Sequence, residues 1–168
     1  FEIDLSENRS ICRYIPFEKL LSLLNKQAIH FRQAEHLSDE HEGELPPSEI
    51  IPDPRIEELY ASNSLITHIS SWYLGESESE EMWEEYEDSH FLIKSSYQRL
   101  REAIQVDDEY GVQFLEVEYQ DWTHGETLGI VSSQDGFYSG NILDPFEYKR
   151  ERFVFENEFR AIATSIGA

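Results

Sequence analysis

The sequence predicts an α+β fold: a single compact domain over residues 1–168, with a mixed or antiparallel sheet of about five or six strands and several helices. Three observations carry this. Alternating, strand-like segments such as VQFLEVEY at 112–119 recur along the chain. The segment PFEKLLSLLNK at 16–26 places proline just before a leucine stripe, where its missing N–H costs a helix nothing. Aromatic residues make up 13% of the 168 positions, more apolar surface than a disordered acidic chain carries.

The elements follow in order. Residues 11–15, ICRYI, read as a strand, and residues 16–26 as a helix with Leu20, Leu21, Leu23 and Leu24 on one stripe. Residues 28–32, AIHFR, alternate as a second strand. Residues 33–55 hold Pro46, Pro47, Pro52 and Pro54 and read as a long acidic loop with one turn of helix. A loop of that length inside a domain is usually functional or mobile. A helix is expected over 56–62 and a strand over 65–73. Residues 78–88 read as a helix, with Met82 and Tyr86 toward the core and Trp83 toward Ser70–Trp72. A short strand at 91–94 is followed by a helix at 95–106, with Tyr97, Leu100, Ala103 and Ile104 inward. A strand at 112–119, a hairpin over 128–131 and 137–138, a helix at 145–155 and a closing strand at 158–164 complete the expectation.

Charge limits the partners. The chain carries 13 Lys+Arg against 35 Asp+Glu, a formal net charge of −22. Residues 76–88 alone hold eight carboxylates and no base. Nucleic-acid binding through a basic surface is excluded, because too few cations exist to displace counterions from phosphates. Adhesion to an anionic membrane is excluded likewise, and no apolar run is long enough to span a bilayer. A basic protein partner suits the acidic surface. A single cysteine, Cys12, rules out an internal disulfide framework and multi-cysteine metal sites. With no leader-like segment at the start, the expected location is cytoplasmic. The six histidines, His36 and His41 among them, show no tight metal-ligand spacing, so no metal site is expected.

Several motifs stand in a fixed order: CRYIPFEKLLSLLNKQAIHF, SDEHEG at 38–43, ISSW at 69–72, MWEEY at 82–86 and KRERFVFENEFR at 149–160. Together they resemble a widespread bacterial and phage-borne domain family of unknown function. Its members carry a Tyr-Arg/Lys-Tyr strand, an Asn-Asp-Pro-x-Glu loop, a Met-Trp-x-x-Tyr helix and a closing Glu-x-Glu-Tyr-Arg strand. This chain departs from that pattern at Ser38-Asp39-Glu40-His41-Glu42, where the family's Asn and Pro are absent.

The order of Arg13, Ser70–Ser71 and Glu156-x-Glu158 is also similar to that of the arginine–serine–glutamate ADP-ribosyltransferases. The resemblance implies NAD as cofactor. Arg13 would hold the pyrophosphate, for which a forked guanidinium is suited. Ser70 or Ser71 would support the nicotinamide side. Glu158 would stabilise the developing ribosyl cation, and Glu156 would act as base toward the acceptor. Arg32 and Trp83 join the expected nucleotide-binding set, Trp83 as a stacking surface. Lys94, Lys149, Arg150, Arg152 and Arg160 either extend an anion pocket or neutralise nearby glutamates. The competing expectation is a non-catalytic acidic interaction domain in which the same residues form a structural ion-pair network, with Arg13 paired to a carboxylate such as Glu158. The two expectations separate on one point. Transfer needs Arg13, Ser70 and Glu158 to line one open cleft.

Overall fold

A computed structural model of the chain describes residues 9–37, 39, 41, 43–44, 58, 62–104, 110–122 and 143–165. Strand β1 (Ser10–Ile15) leads through Pro16, in extended conformation, into helix α1 (Phe17–Lys26). Gln27, at a φ of 50°, takes the left-handed conformation that ends the helix. No residue of α1 is buried. Residues 28–31 do not form the expected strand. Strand β2 is only Arg32–Gln33, and a single 3-10 turn follows at Ala34–His36. Residues 62–66 are helical, so the next strand begins later than the alternation suggests: β3 is Thr67–Leu74.

Helix α2 (Glu80–Glu85) is shorter than its sequence periodicity. Ser79 caps it by accepting from the Met82 N–H, and Tyr86 closes it. Strand β4 (Phe91–Ser96) runs into α3 (Tyr97–Ala103), capped by Ser96. Leu100 is buried there, while Ala103 is exposed, not inward as expected. The run at 110–120 breaks at Val117 into β5 (Tyr110–Glu116) and β6 (Glu118–Gln120). The helix expected at 145–155 is absent. Its place is taken by two 3-10 turns, Asp144–Phe146 and Glu151–Glu156, around strand β7 (Tyr148–Arg150). Strand β8 (Glu158–Ser165) follows. The hairpin expected over 128–131 and 137–138 lies outside the described residues, as does most of the proline-containing loop.

The described strands form one six-stranded sheet in the order β4-β1-β3-β8-β5, with β2 also on β3, and a separate parallel pair, β6-β7. Every pairing in the larger sheet is antiparallel. The α+β class is therefore as the sequence predicts. One edge of β3 is fully paired with β8, from Thr67↔Thr164 to Tyr73↔Glu158. Its other edge is shared. β1 holds only Tyr73 and Leu74, and β2 holds only His68 and Ile69. Between them the sheet forks, and no described strand partners Ser70, Ser71 and Trp72 on that side.

Alternation along the strands sends side chains to two faces. One face carries Ile11, Trp72, Leu74, Phe159 and Ala161, covered by Leu100 of α3 and by Ile29 and Phe31. Tyr97 meets both Phe114 and Phe159 edge-on there. The opposite face carries Ile69, Leu115 and Ile162 under Ala34, Leu143 and Phe146. The sheet thus has a core on each side, and each polar side chain belongs to one side only.

Candidate functional site

The register divides the expected site in two. Side chains directly opposite each other across an antiparallel pair share a face. Ser70 stands opposite Ala161, and Arg13 opposite Ile93, on the Trp72 face. Ser71 stands opposite Arg160, and Tyr73 opposite Glu158, on the other. The expected single cleft joining Arg13, Ser70 and Glu158 is not formed, because one residue of offset along β3 turns a serine to the opposite side.

The glutamate side is a buried ion-pair cluster. Arg160 is 1% exposed and donates from Nε and Nη2 to the two oxygens of Glu158, both at 2.9 Å. Its Nη1 donates to the Phe146 carbonyl at 2.9 Å. Lys149 Nζ donates to Glu158 at 3.3 Å and also pairs with Glu156. Tyr86 donates to Glu156 at 3.4 Å, and the Glu158 N–H donates to the Tyr119 hydroxyl at 2.8 Å. Desolvation pushes the Glu158 carboxyl up, but Arg160 and Lys149 outweigh it and hold the pKa down at about 2. Glu156 is shifted the other way: desolvation raises it more than Lys149 lowers it. Burial, reinforced by both carboxylates, pushes the Tyr86 phenol well above its ordinary value.

Asn157 separates the two glutamates in left-handed conformation, at a φ of 34°. That twist, secured by its amide donating to the Leu74 carbonyl at 2.5 Å, lets the 3-10 turn and the strand aim both carboxylates at Lys149. Of the remaining expected cations, Arg150 pairs with Asp39. Arg152 lies over the Phe153 ring at 4.5 Å, with Lys149 and Arg150 also against that ring.

The arginine side is different in kind. Arg13 Nη1 donates to Ser70 Oγ at 2.9 Å, Nη2 donates to the His30 carbonyl at 3.4 Å, and the guanidinium lies 5.5 Å from the Trp72 ring. These partners are neutral. No described carboxylate pairs with Arg13, so the expected Arg13–Glu158 pair does not exist. Burial lowers the Arg13 pKa, with no carboxylate to offset it. Ser70 is fully buried and also accepts from Trp72 Nε1 at 3.1 Å. Two donors occupy its lone pairs, which leaves its hydroxyl hydrogen to donate.

Around this point the field is cationic. Partial desolvation, then Arg13, Lys19, Lys26 and Arg32, push the His30 imidazole below its ordinary value. Arg32, contrary to expectation, stands opposite Ile69 and so starts on the other face of the sheet from Arg13, where it is exposed. Trp83 does not join Arg13 either. Its ring meets Tyr14 at 4.7 Å, on the opposite face from Arg13, and its Nε1 donates to Glu78 at 2.9 Å. Met82 is buried as expected, but Tyr86 is 40% exposed, its hydroxyl donating to Glu156. Cys12 is buried, and desolvation raises its thiol pKa despite Lys94.

The sequence reading missed Tyr119 and His30 as members of these two groups. Tyr119 closes an alternating strand and gives no local sign of its role. His30 acts through its carbonyl, which no sequence motif marks. Comparison with protein families, with curated proteins and with solved structures finds no match for this chain.

Proposed function

We propose that this domain is a non-catalytic binding module for a phosphate-bearing small molecule, a nucleotide such as NAD, held at the fork of the sheet. The observation that carries this reading is Arg13. In a chain of net charge −22, a half-buried guanidinium has only neutral partners among the described residues. A desolvated cation without a counterion is costly, and an anionic ligand removes that cost. Lys19 and Lys26, whose charges reach His30 beside Arg13, suit an extended polyanion such as a pyrophosphate.

Glu156 and Glu158 have a structural role in this reading. A catalytic carboxylate must meet its substrate, and Glu158 is buried with both oxygens held by Arg160. The test is calorimetry with NAD in moderate salt, alongside an assay of NAD consumption. Saturable binding lost in Arg13→Ala, with no NAD consumed, is the expected result. No binding by a folded wild type defeats the nucleotide reading. NAD turnover by the folded wild type replaces it with the transferase.

A further inference from the structure

Strand β4 ends the described sheet. Its inner edge pairs with β1 along all six residues, from Ser10↔Ser96 to Ile15↔Phe91. The Tyr97 N–H donates to the Arg9 carbonyl in the same register. Antiparallel alternation then turns the N–H groups of Leu92, Lys94 and Ser96 away from β1, toward an edge that no described strand covers. An edge with unpaired donors and acceptors is a template for another strand.

The surfaces beside this edge differ in chemistry. On one side, Phe17, Leu21 and Leu24 follow a helical stripe along α1, and Phe17 meets Phe91 of β4 at 6.0 Å. These four are 49%, 41%, 60% and 40% exposed, an apolar surface continuous from helix to edge strand. Lys19 and Lys26 stand on the opposite flank of α1, toward His30. On the other side lies α2. The Tyr14 hydroxyl accepts from the Ser79 N–H at 2.7 Å, and Trp83 packs on the Tyr14 ring, which fixes the acidic helix to β1. Glu80, Glu81, Glu84, Glu85, Glu87 and Asp88 are all exposed there. A strand added outside β4 sits two strand spacings from β1, about 10 Å, within reach of an extended lysine or arginine. Lys94 shares that side and is outnumbered.

We propose that the outer edge of β4 receives an extended segment of a basic protein, in which apolar residues alternate with lysine or arginine. The apolar side chains pack under Phe17, Leu21, Leu24 and Phe91. The basic ones face the carboxylates of α2. Main-chain bonds to Leu92, Lys94 and Ser96 supply affinity, and the two faces supply specificity. This inference uses neither the fork nor Arg13, so it stands or falls apart from the nucleotide reading.

The probe is a labelled synthetic octapeptide of alternating lysine and valine, followed by fluorescence anisotropy with the full chain. Lys94→Pro removes one outward N–H and leaves the β1 pairing intact, a substitution edge strands tolerate. The double variant Leu21→Glu with Leu24→Glu changes only exposed positions. Saturable binding that weakens roughly tenfold or more in each variant, and weakens with added salt, is the expected result. Variants with unchanged melting temperature and unchanged affinity overturn the proposal. So does equal affinity for a glutamate–valine octapeptide. Sedimentation showing a dimer that Lys94→Pro dissociates assigns the edge to a second copy and overturns it as well.

Discussion

Glu158 shows how one buried carboxylate sets an acid limit. Its folded pKa of about 2 lies below the ordinary value of 4.5. The stability it contributes is therefore present above 4.5 and is lost as the pH falls toward about 2. Glu156 has the opposite sign. Its raised pKa gives a contribution present below 4.5 and lost as the pH rises through the folded value. In urea titrations across the acid range, the wild type loses stability below 4.5, and Glu158→Gln shows a flatter profile there. At neutral pH, Glu158→Gln costs about 3–5 kcal/mol, because it leaves the Arg160 guanidinium buried against a neutral partner. A change under about 1 kcal/mol contradicts the buried pair described here. The Glu-x-Glu-x-Arg pattern was legible as a polar group at the start of a strand. Its burial was not, because Lys149 reaches it from another strand and Phe146 from a turn.

At the scale of elements, the helices differ in how firmly they are held. Leu100 of α3 is buried among Trp72 and Phe159, so Leu100→Ala should cost about 2–5 kcal/mol in urea unfolding. Leu24 of α1 is 60% exposed, and Leu24→Ala should stay within about 0.5 kcal/mol. Ser79→Ala removes the α2 cap and should cost about 1 kcal/mol, read by the same experiment. Strands β1, β4 and β8 were legible from alternation, and α1 from proline followed by a leucine stripe. AIHFR was misread because alternation records a potential face and not a partner. Residues 28–31 lie where β3 is uncovered, and the His30 carbonyl goes to Arg13 instead. The 145–155 segment was misread because its apolar residues, Phe146 and Phe153, serve two separate turns. The division between Arg13 and Glu158 needed the register: Ser70 and Ser71 are equivalent in sequence and opposite in space.

Across the whole molecule, the net charge of −22 opposes compaction. Raising ionic strength from about 0.01 to 0.15 M shortens the screening length from about 30 to 8 Å, so the melting temperature should rise over that range. An unchanged melting temperature means that the exposed carboxylates of α2 are spaced widely enough not to repel one another. The order of strands has a consequence for assembly as well. β8 is the last described strand in the chain, yet it lies inside the sheet between β3 and β5. Until it arrives, β3 and β5 have no bridge between them, and Trp72, Ile69 and Leu115 lack the Phe159, Ala161 and Ile162 surface they pack on. The nascent chain must therefore hold a partial sheet with β3 open on one edge, and β5 apart from it, until β8 is made, and closes this core only when β8 inserts.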